Sequence, residues 1–187
     1  ISFYQLTLEP NTLFSKFPPN LPSDEDIWKI GERGSELLNQ RGFHQYEISA
    51  YSTLPSKHNM NYWEFGDYIG IGAGAHGKIT NMAANEIVRT LKMKSPRDYL
   101  LSVKNNNQTS SVTLIENLSF EFMLNSLRLI GGFDPNLYES RTGQPVKVLR
   151  EQMREAENLG LLEVQAHKIK PTQKGYSFLN DLQAIFL

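Results

Sequence analysis

Two spacings of apolar residues alternate along the chain. Residues 1–9 mix β-branched and aromatic side chains and stop at Glu9-Pro10-Asn11, which predicts a buried strand running into a loop. Pro18, Pro19 and Pro22 keep that loop irregular. Ser23 followed by Asp24, Glu25 and Asp26 is a helix start, since the hydroxyl caps free N–H groups and acids suit the first turn. The helix turns Ile27, Ile30, Leu37 and Leu38 inward and ends at Gly42. Residues 43–51 read as the next strand, so the first fifty residues predict a βαβ unit and a parallel sheet. Residues 52–57 form a turn-rich loop that delivers His58, and 67–75 read as a glycine-spaced strand. Residues 80–94 suit either a helix or an irregular arm with a strand around 87–91. Ser95-Pro96 opens a helix to about Val103.

The texture then changes. Residues 104–111 (KNNNQTSS) are polar and read as a linker. Beyond them residues 114–130 carry Leu118, Phe122, Leu127 and Leu129, with Phe120 and Met123, at helical spacing, and the pattern stops at Gly131-Gly132. A short helix is expected over 134–141 and a third over 146–159, closed by Gly160. Residues 161–164 and 168–170 pair as a hairpin. Thr172 caps a last helix through Tyr176, Phe178, Leu179, Leu182 and Ile185. Three helices, a hairpin and a further helix form a winged-helix-like module.

Composition narrows the function classes. The chain has 187 residues, 40% hydrophobic and 21% charged, with a formal net charge of -1. That is globular, with no bulk charge favouring nucleic acid or an anionic membrane. No run is long enough to span a bilayer. There is no cysteine, so this chain alone supplies no disulfide, thiolate zinc site or cysteine-ligated iron–sulfur cluster. It opens on ISFYQLTLE rather than Met. The expectation is a fragment with an open sheet edge at 1–9, prone to oligomerise through it.

The chemistry concentrates in residues 58–77, HNMNYWEFGDYIGIGAGAHG. Glycines at 70, 72, 74 and 77 give up packing and order, which suits close approach of a backbone or a ligand, or a tight bend in a sheet. A neutral His58 imidazole beside Tyr62 and Trp63 suits a metal or a porphyrin iron, with Asn59 orienting it. The other reading makes the two aromatics core and His58 an ordinary loop residue. His76 ends the glycine run, where strand ends of an α/β barrel face the active site; it equally suits a turn held by backbone. Glu9 and Glu47 close or nearly close their strands and suit a cation, a sugar hydroxyl, or ion pairs with arginines. On the third helix Lys147, Arg150 and Arg154 are balanced by Glu151, Glu155 and Glu157, which argues against nucleic acid. GIGAGAHG lacks the Lys-Ser/Thr ending of a phosphate loop.

Four ordered blocks carry a resemblance: YQLTLEPNTLF (4–14), QYEISAYS (45–52), HNMNYW (58–63) and DYIGIGAGAHGK (67–78). They resemble the oxygen-independent coproporphyrinogen III oxidase-like family and, within it, the HemW-type heme chaperones. The resemblance implies an α/β fold: the C-terminal part of a partial TIM-like (radical SAM) barrel over 1–103, a linker at 104–111, and a small, mostly helical winged-helix-like domain over 112–187. It implies S-adenosylmethionine and a [4Fe-4S] cluster in the intact protein, the cluster's cysteines lying outside this chain. Thr7 and His76 match positions lining the S-adenosylmethionine pocket. His58, with Asn59, Tyr62 and Trp63, matches a heme-binding motif in which His58 is the iron ligand. No catalytic residue is assigned, and the chain alone is expected to hold no cluster and cleave no S-adenosylmethionine. The implied role is cytoplasmic heme or porphyrin handling, with delivery to heme-accepting respiratory proteins. Peripheral membrane contact is left open. The rival expectations are oxidative decarboxylation of coproporphyrinogen III and a winged-helix binding module.

Overall fold

The computed structural model of the chain describes residues 1–81, 83–84 and 86–187. Met82 and Asn85, inside the stretch read as helix or arm, lie outside the described residues. The chain divides into two compact units, Ile1–Ser56 and Lys57–Leu187.

In the first unit a one-turn helix α1 (Leu13–Lys16) starts at a Thr12 cap, and α2 (Asp24–Gln40) starts at the expected Ser23, whose hydroxyl accepts from the Asp26 N–H at 3.2 Å. Gly42, at φ +79°, takes the left-handed turn after α2. The expected strand over 43–51 is two strands, β1 (His44–Glu47) and β2 (Ala50–Ser52), paired antiparallel. Side chains satisfy the reversal. Gln45 Nε2 donates to the Ile48 carbonyl at 3.0 Å, and Ser49 Oγ donates to the buried Glu47 carboxylate at 2.8 Å. The expected strand over 1–9 shrinks to one antiparallel bridge, Ser2 to Ala50. A strand exists by its ladder, and beyond Phe3 no ladder bond forms there. The parallel βαβ unit is therefore not formed, and every strand pair among the described residues is antiparallel. α2 leaves Trp28, Ile30 and Leu37 exposed. A cavity of about 300 Å³, lined by Phe3, Tyr4, Leu6, Ile27, Ile30 and Tyr51 among others, opens beside it.

The second unit begins with α3 (Lys57–Trp63), so His58 lies on a helix rather than at a loop end. A three-stranded sheet follows in the order β3 (His76–Asn81), β4 (Glu86–Lys92) and β5 (Ser110–Leu114), with α4 (Pro96–Lys104) between the last two. β4 decides the ambiguous stretch in favour of the strand, and β5 takes up the last two residues of the expected linker. β5 also delays the next helix, α5 (Leu118–Ser126), by four residues relative to the expected start. α6 (Pro135–Thr142) follows. A single 3₁₀ turn (Val146–Leu149) leads into α7 (Arg150–Asn158), so the expected third helix is continuous only from Arg150. The hairpin β6 (Leu162–Gln165) and β7 (Lys168–Pro171) forms where expected. Thr172 caps α8 (Gln173–Ser177), and a break at Phe178 separates it from α9 (Leu179–Ala184).

One apolar core joins these elements. Phe122 on α5 is fully buried and meets Phe65, Phe133 and Tyr138 edge to face, at ring separations of 5.8, 5.0 and 5.1 Å. Edge-to-face pairs of this kind add to the burial of apolar area. Leu127, Leu149, Ile169 and Leu182 close the core around them.

Candidate functional site

The candidate site is built on α3, whose four motif residues divide into two adjacent stripes. His58 and Tyr62 are one helical turn apart and meet edge to face at 4.9 Å between ring centres. His58 is exposed and Tyr62 half-buried. Asn59 and Trp63 form the neighbouring stripe. Trp63 packs under the guanidinium of Arg128 at 4.4 Å from the ring centre, a cation–π contact that also ties α3 to the segment after α5. Its carbonyl accepts from Ser126 Oγ at 2.9 Å. The Trp63 indole Nε1 is buried with no hydrogen-bond partner among the described residues, which leaves one donor of the motif unsatisfied.

The end of α3 is fixed by a left-handed residue. The Gly66 N–H donates to the Asn61 carbonyl at 2.7 Å and the Phe65 N–H to the Tyr62 carbonyl at 3.0 Å, the double closure of a Schellman motif. Phe65 sits at its left-handed position with φ +55°, although it is not glycine. Such a conformation costs free energy and persists only where surroundings enforce it. Here the Phe65 ring lies against Phe122 on one side, and the Lys78 ammonium approaches within 4.2 Å of its centre. Gly66 has no room for a side chain: a Cβ would come within 2.1 Å of Asn61 Oδ1. Gly66→Ala is expected to cost about 1–3 kcal/mol by overpacking and to loosen the end of α3. Thermal unfolding checks this, and an unchanged midpoint would contradict it.

Lys78 is buried and pairs with Asp67 at 2.9 Å. Asp67 also accepts from the Thr80 N–H and hydroxyl, each at 2.8 Å. Burial pushes the Lys78 ammonium below its usual range, with Asp67 opposing. Burial also acts on Asp67, but the Thr80 and Lys78 donors outweigh it and hold that carboxyl low.

The glycine run is not a strand. Tyr68 makes one antiparallel bridge to Lys78, and the strand proper begins at His76. Gly72 and Gly74 adopt φ +99° and +72°, turning the chain back on itself. A Cβ on Gly70 would fall 2.1 Å from the His76 carbonyl oxygen, and on Gly77 it would fall 2.5 Å from the Thr90 hydroxyl and 3.1 Å from the Tyr68 carbonyl oxygen. The body that comes close to these glycines is the chain itself, so the tight-bend reading explains them.

His76 is therefore an exposed strand residue opposite Leu91, not a turn residue. Thr7 is an exposed residue of the extended segment in the first unit. Each is placed within its own unit. Glu9 is exposed, and Glu47 is buried in the β1–β2 reversal.

Sequence reasoning missed the groups behind the motif. Tyr62 packs against Tyr68 at 4.3 Å between ring centres with the rings tilted by 46°, Tyr68 Oη lies 3.5 Å from an Arg89 guanidinium nitrogen, and Arg89 is ion-paired to Glu121 of α5. That pairing, set against burial, raises the Arg89 pKa. Tyr68 lay inside the quoted glycine block, but no spacing rule links it to Tyr62 across the end of a helix.

These residues fit a porphyrin iron better than a bare ion. Among the described residues no group of three or more His, Cys, Asp or Glu side chains is placed to hold a metal. A porphyrin iron brings four nitrogens of its own, so one imidazole from the protein would suffice to hold it. A [4Fe-4S] cluster does not fit this chain, which has no cysteine. Among the described residues no helix is long and apolar enough to cross a membrane.

Residues 116–178 match the HemN C-terminal domain family. The whole chain aligns with two proteins described as heme chaperone HemW. It is 41% identical to the one from Haemophilus influenzae and 42% to the one from Escherichia coli, covering 49% of each. The chain thus spans about half the length of the curated relatives it matches. In fold it is similar to the radical SAM enzyme coproporphyrinogen III oxidase (HemN) from Escherichia coli, with a TM-score of 0.64 over 89% of this chain and 42% of that one at 16% identity. The chain is thus similar along its whole length to proteins described as heme chaperones, matches the HemN C-terminal domain family over residues 116–178, and shares its fold with coproporphyrinogen III oxidase.

Proposed function

We propose that this chain carries the heme-holding patch of a heme chaperone, with His58 as axial ligand to the iron. The observation that carries the reading is the exposed His58 imidazole held edge-on by Tyr62 one turn along α3. Heme supplies the iron and a flat apolar face. His58 contributes the nitrogen, Tyr62 fixes the ring that bears it, and Asn59 and Trp63 secure the adjacent stripe of the helix. An exposed site suits transfer, since a cargo bound on a surface leaves without the protein unfolding. The intact protein would pass heme to respiratory proteins in the cytoplasm. Radical chemistry in the intact protein would depend on cysteines outside this chain. The helices and hairpin beyond β5 would form a winged-helix-like domain.

Titrating ferric heme into wild type and His58→Ala tests this. The variant is expected to lose affinity on the order of tenfold to a hundredfold, with a shifted Soret band, as loss of a ligand should cost at least what loss of a supporting group does. Equal affinity and an unchanged band would remove His58 from the site. The shared fold with coproporphyrinogen III oxidase favours one second reading, oxidative decarboxylation of coproporphyrinogen III. Robust turnover of that substrate by the full-length protein would favour it over the chaperone role.

A further inference from the structure

We propose that Tyr68 is a positioning residue for the iron ligand. The inference rests on the heme reading and extends it to a residue outside the motif. His58 is exposed, and its ring contact is with Tyr62. The orientation of the imidazole therefore depends on what holds Tyr62. Tyr62 meets two rings, His58 at 4.9 Å and Tyr68 at 4.3 Å.

Tyr68 is itself held at several points. Its backbone N–H donates to the Lys78 carbonyl, and its carbonyl accepts from the Lys78 N–H, both at 2.9 Å. Lys78 is anchored beneath Phe65 and by Asp67. The Tyr68 hydroxyl lies 3.5 Å from Arg89, which Glu121 of α5 fixes by an ion pair. A contact of 3.5 Å is long for a hydrogen bond, so the tilted ring contact supplies most of the hold. The ladder His58, Tyr62, Tyr68 thus connects an exposed ligand on a seven-residue helix to the sheet and to α5. A ligand held in one orientation before the iron arrives binds it more tightly and in one geometry.

The test titrates ferric protoporphyrin IX into the full chain and records the electron paramagnetic resonance of each complex. Wild type, His58→Ala, Tyr68→Leu and Tyr68→Phe are compared, with circular dichroism to check the fold. Tyr68→Leu keeps apolar bulk and removes the ring. It is expected to weaken binding about threefold to tenfold, the range of one aromatic pair. It should also split the single ferric signal into two or more species, because a loosened imidazole samples several orientations. Tyr68→Phe restores the ring and is expected to bind within about twofold of wild type with its signal intact. A Tyr68→Leu complex with wild-type affinity and signal overturns the proposal, as does Tyr68→Phe as weak as Tyr68→Leu. If Tyr68→Leu fails to fold, Tyr68→Met, flexible enough to fill the gap, is judged by the same two outcomes. A His58→Ala protein that binds heme as wild type does sinks the heme reading, and the positioning role with it. Loss in His58→Ala alone sinks only the positioning role.

Discussion

Replacing Phe122 by alanine is expected to cost about 3–5 kcal/mol, the range for removing a buried phenylalanine. The site cannot collapse easily, because Phe65, Phe133 and Tyr138 all meet this one ring edge to face. Tyr138 is also pinned by its hydroxyl, which bonds Gln144 and Ser119 at 2.8 Å each. Against a typical domain stability of about 5–15 kcal/mol the loss is large. It should also reach the proposed heme patch, since Phe122 backs Phe65, and Phe65 holds its left-handed φ only while it is packed. Denaturant unfolding of Phe122→Ala and Phe122→Leu measures the effect, with heme titration of the alanine variant at a temperature where it stays folded. Leucine, which keeps most of the volume, is expected to cost about 1–1.5 kcal/mol. A cost below about 1 kcal/mol for alanine would show that Phe122 is not the centre of the core.

The second large effect is expected at Asp67. Its partner Lys78 has a side chain only 3% exposed, while Asp67 is 43% exposed. Removing one member of a fully buried pair costs about 3–5 kcal/mol; the half-open carboxylate reduces this, so Asp67→Asn is expected to cost about 2 kcal/mol. The pH dependence follows from the directions of the two shifts. The folded Asp67 carboxyl lies below its ordinary 3.8, so the unfolded chain takes up this proton first as pH falls. Its contribution is complete above 3.8 and is lost as pH drops through the lower folded value. Lys78 lies below its ordinary 10.5 when folded, so the folded chain releases that proton first. Stability therefore rises with pH from the depressed value up to 10.5 on this group's account. Unfolding free energies measured across pH for wild type and Asp67→Asn should converge below pH 3.8. A gap that persists undiminished into that range would mean the charge of Asp67 is not what stabilises the pair.

The glycine run shows where local reading stopped. Four glycines announced a close approach, but not that the approaching body was the chain's own return from His76 to Lys78. The ladder behind His58 was likewise invisible. Arg89 and Glu121 stand 32 positions apart, and Tyr68 and Arg89 stand 21 apart. The motif residues were easier to see because they lie within six positions of one another. Even so, reading them as one cluster missed that a helix splits them into two stripes.

Some of the molecule was settled by the chain alone. The caps at Ser23, Ser95 and Thr172 work as expected, since a hydroxyl and the N–H it serves lie three residues apart. The hairpin β6–β7 also followed from local spacing, as did the presence, though not the bounds, of the helices of the C-terminal half. What lay beyond the sequence was every pairing between distant segments. These include the reversal that breaks 43–51 into two antiparallel strands, the recruitment of Ser110–Leu114 into a sheet, and the enforced turn at Phe65. An apolar period records that one face of an element will be covered, but not by what. Only the folded chain decides which segment arrives there and which polar groups it brings.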